Sequence, residues 1–286
     1  MTLKIKPHAG AGVELSGVDI RSLSDDEFNA IRQAYAEHGL VFLRGQEITE
    51  AEHIAFARRF GEINVNRFFA AHPGYPEIAM VTKEKEQTAN IGGGWHTDHS
   101  YDEAPAMGSI LVAREVPPTG GDTWFVSMYD AFEGLSPGLQ QTLRSLNAVH
   151  SARHVFGSQG AHRQAAETSD RIGNAEAADE LSDVVHPVVI RHPLSGREAL
   201  YVNPAFTLHF QGWSREDSEP LLAYLYEQAV RPDNICKFQW QPGSIAFWDN
   251  RATWHFAQND YHGARREMHR ITLDGCLLAP ALPGAA

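Results

Sequence analysis

Two residues with metal-binding side chains lie two positions apart in the segment Trp95-His96-Thr97-Asp98-His99. If this segment is a β-strand, His96 and Asp98 point to the same side, because side chains alternate between the two faces of a strand. A neutral imidazole nitrogen and a carboxylate oxygen are two of the three ligands in the 2-His-1-carboxylate set that holds Fe(II) in non-haem oxygenases. A His-x-Asp tripeptide is common by chance, so this interpretation requires a second histidine and a group that anchors a cosubstrate.

The C-terminal part of the chain contains residues of both kinds. His255 lies about 157 residues after Asp98, and Arg266 and Arg270 follow it. The two arginines are four positions apart, so in a strand both guanidinium groups face the same side. A buried cation needs an anionic partner, and an arginine binds a carboxylate through two parallel hydrogen bonds. The sequence therefore predicts a metal site beside bound anions. The alternative is a solvated basic edge, which we predict only for Arg265, because its side chain has the opposite parity.

Capping patterns and apolar runs predict the elements that hold these residues. Ser24 and Thr49 are each followed three residues later by a glutamate, which is the capping box that opens a helix. We predict four helices, at residues 25–38, 50–60 with Gly61 as the stop, 137–146 and 215–230. We predict short strands at residues 40–43, 78–81, 106–114, 123–126, 186–192, 199–202, 237–241, 244–248 and 268–273. Many short strands with few helices indicate a mixed β fold with helices, whose core is a double-stranded β-helix (jelly roll) decorated by helices.

Two polar segments interrupt this pattern. Residues 82–94 end in three glycines, and residues 157–183 are polar and rich in alanine. We predict that residues 1–286 form one domain and that residues 157–183 are a flexible insertion in it. Both segments flank predicted site residues, so we expect them to become ordered over the site when ligands bind.

Composition excludes several classes of partner. The 286-residue chain has a formal charge of −12 without a run of Lys or Arg, which argues against a nucleic acid. No stretch approaches the roughly twenty apolar residues of a membrane span, and the N-terminus lacks the apolar run of a secretory signal. The two cysteines form no CxxC pair, which is typical of a reducing cytoplasm. We expect a cytoplasmic homo-oligomer that binds a small molecule.

The order of these motifs resembles that of the TauD/TfdA family of Fe(II)- and 2-oxoglutarate-dependent dioxygenases. The resemblance covers nearly the whole chain. Besides Trp95-His96-Thr97-Asp98 it includes Val41-Phe42-Leu43-Arg44, Arg59-Phe60-Gly61, Gly120-Gly121-Asp122-Thr123, His186-Pro187-Val188-Val189, Tyr201-Val202-Asn203, Trp248-Asp249-Asn250-Arg251 and Met268-His269-Arg270. The resemblance implies that iron is bound by His96, Asp98 and His255. It also implies that 2-oxoglutarate is held by Arg266, with the help of Thr123.

The resemblance is less informative about the organic substrate. Arg270 matches an arginine that binds the anionic group of the substrate, and Phe156 and Phe206 match aromatic residues of the pocket, although both could equally be core aromatics. Asn66 and Phe69 stand where the taurine enzyme has a histidine and a tyrosine. These two residues are therefore expected to contact a different substrate.

Two further departures lie beside the predicted pocket. Residues 91–94 read Ile-Gly-Gly-Gly where the taurine enzyme has Asp-Asn, and Val155 replaces a serine. Most of the polar groups that would contact the ammonium of taurine are thus replaced in this sequence. Several other stretches are similar to bacterial phenoxypropionate dioxygenases, which favours an anion with a larger apolar body.

The resemblance and the ligand pattern together predict a dioxygenase that hydroxylates a small organic anion. The expected substrate is similar to an aryloxyalkanoate, an alkyl sulfate or a sulfonate. The enzyme would bind Fe(II), consume 2-oxoglutarate and O₂, and release succinate and CO₂. Three alternatives remain open: a biosynthetic hydroxylase or desaturase of another small acid, a metal-dependent hydrolase, and a non-catalytic jelly-roll binding protein.

Overall fold

The computed structural model describes residues 3–160 and 175–281. The helices in this part are α1 (Asp25–His38), α2 (Glu50–Arg58), α3 (Met128–Glu133), α4 (Pro137–Leu143), α5 (Arg153–Phe156), α6 (Ala175–Asp179) and α7 (Arg215–Ala229). The strands are β1 (Lys4–Pro7), β2 (Val13–Ser16), β3 (Leu40–Leu43), β4 (Ile63–Asn64), β5 (Ala71–His72), β6 (Tyr75–Lys83), β7 (Gly108–Glu115), β8 (Thr123–Ser127), β9 (Asn147–His150), β10 (Val184–Pro187), β11 (Val189–Arg191), β12 (Glu198–Leu200), β13 (Thr207–Phe210), β14 (Cys236–Phe238), β15 (Ile245–Asp249), β16 (Thr253–Ala257), β17 (Arg266–Leu273) and β18 (Ala279–Pro280). The fold is therefore rich in sheet and carries several helices, as the sequence predicts.

The strands form one large sheet and three small ones. The large sheet has the order β1-β2-β3-β15-β7-β17-β6-β5, with β4 also paired to β17. The small sheets are β14-β8-β16, β10-β9-β13 and β12-β11-β18. Strands β2 and β3 are parallel, whereas β3-β15, β15-β7 and β7-β17 are antiparallel.

The two faces of the large sheet pack against different layers. On one face, Ile31 and Tyr35 of α1 share an apolar cluster with Phe247 of β15 and Ile271 of β17. On the other face lies a second cluster, which joins the large sheet to β8 and β14. Because Met268 belongs to this second cluster, the residues of β17 with the same parity as Met268 face the small β14-β8-β16 sheet. The space between these two sheets contains the candidate site.

Local signals predict the first helix and strand correctly. Ser24 and Glu27 form the complete capping box of α1, and Gly39 ends this helix with a left-handed φ of 67°. The buried run Leu40–Leu43 is β3. These elements depend on caps and apolar runs that can be read without knowing the rest of the fold.

Three predicted boundaries were wrong because tertiary contacts override the local pattern. Helix α2 ends at Arg58 rather than near Gly61, since the Phe60 ring packs between Phe28 and Phe247 at centroid distances of 4.8 Å. Helix α4 ends at Leu143, after which the chain tightens into short turns. The single strand predicted at 186–192 is two strands, because β10 pairs with β9 whereas β11 pairs with β12 and β18.

The predicted insertion, residues 157–183, lies partly within the described residues. Residues 161–174 lie outside the described residues, so their predicted flexibility stays a prediction. Where the chain resumes, Asp179 of α6 accepts hydrogen bonds from the backbone N–H of Ser158, and Asp183 pairs with Arg153 at 2.7 Å. The described end of the insertion is thus attached to α5. In the part of the chain that the structure covers, no helix is long and apolar enough to cross a membrane.

Candidate metal centre and its cavity

Three potential metal ligands converge at one point between the two sheets. Their ligand atoms lie within 4.8 Å of one another, on His96, Asp98 and His255. The carboxylate faces both rings: His96 Nε2 is 3.7 Å from Asp98 Oδ1, and His255 Nε2 is 3.8 Å from Asp98 Oδ2. The structure therefore brings together the three residues that the sequence predicts as ligands.

The two histidines are held together by their backbones. His96 N–H donates to the His255 carbonyl at 3.1 Å, and His255 N–H donates to the His96 carbonyl at 2.8 Å. His255 lies on β16, whereas His96 forms only this isolated bridge and Asp98 lies in the turn that follows. The premise that His96 and Asp98 share one face of a strand was wrong. Asp98 is instead the first residue of a turn that continues through His99, whose φ is 61°, and its carboxylate lies beside the His96 ring.

Ring orientation and charge prepare these residues for a cation. His96 Nδ1 lies 2.8 Å from the Gly94 carbonyl and must donate to it, so Nε2 is the ring nitrogen that faces Asp98. Burial and the neighbouring His96 lower the pKa of His255 well below its usual range, so that ring is neutral. Burial alone would raise the pKa of Asp98, but Arg270 and the two histidines hold it below its usual range. Two imidazole nitrogens and one carboxylate fit a divalent ion such as Fe(II).

A cavity of about 760 Å³ opens beside the three ligands. Most of its wall is apolar, and its polar side chains include the ligands, Thr123, Arg266 and Arg270. The predicted aromatic residues Phe69, Phe156 and Phe206 also line it, together with Ile91 and Val155. Among the residues that line the cavity, Asp98 supplies the only carboxylate in the described part of the chain.

Asn66 does not lie where the sequence predicts. It is not one of the residues that line the cavity. Its side-chain oxygen accepts hydrogen bonds from the backbone N–H groups of Phe68 and Phe69, at 2.9 and 3.0 Å. Asn66 thus fixes the turn that presents Phe69 to the cavity, and the substrate contact predicted for it is replaced by this local bond.

The two arginines of β17 are buried and point into the cavity. Burial lowers the pKa of Arg266, and its Nε and Nη2 atoms have no hydrogen-bond partner among the described residues. Arg270 donates from Nη1 to Asp98 Oδ2 at 3.2 Å, and its guanidinium carbon lies 4.4 Å from the centre of the Phe69 ring. Arg265 points outward into ion pairs with surface glutamates, as predicted from its parity. The cavity therefore offers cationic donors to an anionic ligand.

The glycines of the Gly-Gly-Asp-Thr turn allow the backbone of the turn to pack closely against Asp260. Gly120 has a φ of 74° and Gly121 a φ of 71°. A Cβ on Gly120 would lie 2.6 Å from Asp260 Oδ1, which instead accepts a hydrogen bond from the Gly121 N–H at 2.7 Å. Only glycine fits this turn, and the turn places Thr123 at the start of β8.

The loop before His96 is attached to β16. The Asn90 side chain donates to the Ala257 carbonyl at 2.8 Å, and Ala257 N–H donates to the Gly92 carbonyl at 3.0 Å. Asn259 donates to the Thr88 carbonyl at 2.9 Å. Asn90 and Asn259 also line the cavity, and the sequence analysis did not single them out. Their only local signal was the polar character of the loops that carry them.

The sequence matches the family described as taurine catabolism dioxygenase TauD, TfdA family over residues 2–272. The chain belongs to the TauD/TfdA family.

Individual relatives agree with this assignment. The alkylsulfatase of Acinetobacter baylyi is 35% identical over 266 residues, which cover 92% of this chain and 82% of that protein. The α-ketoglutarate-dependent sulfate ester dioxygenase of Pseudomonas putida is 32% identical, over 96% of this chain and 90% of that protein. The structure of a taurine dioxygenase from Burkholderia xenovorans superimposes with a TM-score of 0.79 and 33% identity, over 97% of this chain and 93% of that one.

As a member of the TauD/TfdA family, the protein is a 2-oxoglutarate-dependent dioxygenase, an enzyme of the oxidoreductase class. The family uses Fe(II), 2-oxoglutarate and O₂. The residues present fit these groups, because the imidazoles of His96 and His255 and the charged Asp98 suit the metal. The unpartnered nitrogens of Arg266 suit a carboxylate.

A second cluster of possible ligands does not have the properties of a metal site. Glu50, His72 and His269 also place ligand atoms within 4.8 Å of one another. However, His269 Nδ1 accepts from Arg114 Nε at 3.2 Å, and His269 Nε2 lies 3.1 Å from a Glu267 oxygen. Arg114 Nη2 is 3.3 Å from Glu50 Oε1. The guanidinium thus supplies the positive charge that a metal ion would bring, and both nitrogens of His269 are already bonded.

Proposed function

We propose that this TauD/TfdA enzyme hydroxylates a small organic anion with an apolar body, and that alkyl sulfate esters are its preferred substrates. The observation that carries the proposal is the composition of the cavity. A buried guanidinium, Arg270, adjoins an apolar wall that includes Phe69, Val155, Phe156 and Phe206. A sulfate group would bind the cation, and each Å² of alkyl chain removed from water would contribute about 25 cal/mol.

The same cavity disfavours taurine. The ammonium of a zwitterion would be buried beside a single carboxylate, Asp98, which the metal requires. Burying an unpaired cation is unfavourable. The names of the two relatives that act on sulfate esters, each at least 32% identical, support the same substrate class.

We infer the following roles within this proposal. His96, Asp98 and His255 hold Fe(II), while Arg266 and Thr123 hold the far carboxylate of 2-oxoglutarate. When bound, the metal, 2-oxoglutarate and O₂ would together supply the oxidant: one oxygen atom of O₂ would enter the C–H bond and the other would enter succinate, with release of CO₂.

The side chains that face the substrate would position it relative to the metal. Arg270 would hold the sulfate, and the aromatic wall of Phe69, Phe156 and Phe206 would hold the alkyl chain, so that the carbon bearing the ester oxygen faces the metal ligands. Hydroxylation at that carbon gives an unstable product in which the carbon–oxygen bond to sulfate breaks. The products are then an aldehyde and sulfate. We infer further that the large sheet and the β14-β8-β16 sheet are the two halves of a jelly roll around this site.

The test is succinate release with Fe(II) and ascorbate supplied, comparing hexyl sulfate, hexanesulfonate, 2-phenoxypropionate and taurine. We expect the highest kcat/KM for hexyl sulfate, with hexanal and sulfate formed in a one-to-one ratio to succinate. Highest efficiency with taurine would refute the substrate proposal. Highest efficiency with hexanesulfonate, with sulfite released, or with 2-phenoxypropionate, with phenol released, would refute it equally and would indicate a sulfonate or an aryloxyalkanoate as the substrate.

A further inference from the structure

A buried tryptophan outside the predicted site contacts both of the residues assigned to 2-oxoglutarate. Trp240 is 6% exposed and lies two residues beyond Phe238, which is the strand partner of Thr123. Its Nε1–H donates to Thr123 Oγ1 at 2.9 Å. The guanidinium carbon of Arg266 lies 5.7 Å from the centre of its ring.

The hydrogen bond from Trp240 fixes how the Thr123 hydroxyl can be used. A hydroxyl has one proton to donate and two lone pairs, and an indole N–H can only donate. Trp240 therefore occupies a lone pair of Thr123 and cannot take its proton. No side chain or carbonyl in residues 3–160 or 175–281 accepts that proton, and Thr123 lines the cavity. The hydroxyl proton is thus left for a ligand.

The ring of Trp240 meanwhile limits the position of Arg266. A guanidinium within about 6 Å of an indole face is attracted to it. On another side, a Cβ on Gly121 would lie 3.5 Å from Arg266 Cδ, which shows how closely the Gly-Gly turn approaches the arginine stem. The Arg266 nitrogens Nε and Nη2 are buried and have no partner among the described residues.

We propose that Trp240 is a positioning residue for the cosubstrate. Its N–H orients the Thr123 hydroxyl and its ring supports Arg266, so that both donors are aligned for one carboxylate before 2-oxoglutarate arrives. This inference rests on the proposed assignment of Thr123 and Arg266 to 2-oxoglutarate.

The test is a double-mutant cycle on the full chain loaded with Mn(II), with 2-oxoglutarate binding measured by titration calorimetry without O₂. The variants are W240F, T123V, the double variant and R266A, with W213F as a control at a partly exposed tryptophan that packs against Phe210. W240F keeps an aromatic ring and removes the N–H. We expect it to weaken 2-oxoglutarate binding roughly three- to tenfold, as for one hydrogen bond. In the T123V background the same substitution should change the Kd less than twofold, because the pair acts as a unit.

A merely structural role would give a different pattern. If W240F weakened binding equally in the wild-type and T123V backgrounds, or raised the KM of the sulfate ester as much as that of 2-oxoglutarate, the positioning role would be refuted. If R266A left 2-oxoglutarate binding unchanged, the assignment of the cosubstrate site itself would be wrong. W213F should bind as the wild type does.

A second measurement remains if W240F does not fold. The chain has six tryptophans, so the ¹⁵N-labelled protein gives few indole N–H resonances. One of them should move both on addition of 2-oxoglutarate and in T123V, while T123S should keep wild-type 2-oxoglutarate affinity. If no indole resonance responds to 2-oxoglutarate, Trp240 does not contact the cosubstrate site.

Discussion

The proposed metal centre depends on the charge of one carboxylate. Asp98 is held ionised by Arg270 and the two histidines although it is buried. We predict that Asp98→Ala abolishes turnover and weakens Mn(II) binding, measured by calorimetry, by at least a hundredfold. Glu103→Ala removes an exposed carboxylate five residues later and should change neither quantity. Wild-type metal affinity in Asp98→Ala would remove the proposed ligand set.

Replacing each of three neighbouring arginines on or beside β17 with alanine should have a different effect on the kinetics. Removing one partner of a buried charged pair costs about 3–5 kcal/mol, which is on the order of a hundredfold or more in affinity. We predict that Arg266→Ala raises the KM for 2-oxoglutarate and that Arg270→Ala lowers kcat/KM for the sulfate ester. Arg265→Ala, which breaks only outward ion pairs, should do neither. Steady-state kinetics with each substrate varied in turn would check this, and exchanged effects would mean that the two assignments must be reversed.

The residue types that do chemistry could be found from the sequence, whereas their supports could not. His96, Asp98, His255 and Arg266 are recognisable because their order along the chain resembles that of the TauD/TfdA motifs. Trp240 has no local signature that separates it from the other tryptophans. Its relevance arises from the pairing of β14 with β8, which connects residues more than one hundred positions apart.

At the scale of elements, the loop before His96 controls the position of one proposed metal ligand, His96. Gly92 has a φ of 78°, and a Cβ there would lie 3.3 Å from His96 Cε1. A side chain in this left-handed conformation costs roughly 1–2 kcal/mol, and the contact would displace the ring. We predict that Gly92→Ala weakens Mn(II) binding several-fold in calorimetric titrations.

Gly94 provides the matched control for this change. A Cβ on Gly94 has nothing within 4 Å, and its φ is not left-handed. Gly94→Ala should therefore bind Mn(II) as the wild type does. Equal losses in both variants would indicate that the loop needs general flexibility rather than space beside His96.

Elements with strong local signals were predicted, and elements that depend on partners were not. Helix α1 has a full capping box and a left-handed glycine stop, so its bounds follow from the sequence. Strand β16, which carries His255, was not predicted. The segment Thr-Trp-His-Phe-Ala follows a turn and is only five residues long, and its extended form is stabilised by pairing with β8.

At the scale of the whole molecule, one buried carboxylate, that of Asp249, connects distant parts of the fold. Asp249 at the end of β15 accepts from Arg251 at 2.9 and 2.7 Å and from His192, which follows β11, at 3.0 Å. Asp249 is fully buried. The bond between Asp249 and His192 thus links the large sheet to the β12-β11-β18 sheet.

We predict that Asp249→Asn destabilises the protein by about 3–5 kcal/mol, since it leaves Arg251 buried without a counter-ion. Differential scanning calorimetry near neutral pH should show a Tm lower by on the order of 10 °C. Asp25→Asn, which breaks an exposed pair with Arg59, should have a much smaller effect. A Tm change no larger than that of the control would contradict the prediction.

The effect of Asp249→Asn should also depend on pH. Burial alone would raise the pKa of Asp249, but Arg251 and His192 hold it below its ordinary value of 3.8. The stability that Asp249 contributes is therefore fully present above about pH 4 and is lost as the pH falls through the lower folded pKa. The Tm difference between wild type and variant should shrink below about pH 4. A difference that grows in acid would mean that the carboxyl pKa is raised.

The reciprocal backbone bonds between His96 and His255 also set an order of events during synthesis. The ribosome must add more than 150 residues after His96 before His255 exists. Until β16 emerges and pairs with β8, the His96–Asp98 turn has no second histidine and no bridge to hold it. A nascent chain arrested anywhere before His255 thus lacks one of the three proposed ligands, so the complete metal centre cannot form until the last part of the chain has been made.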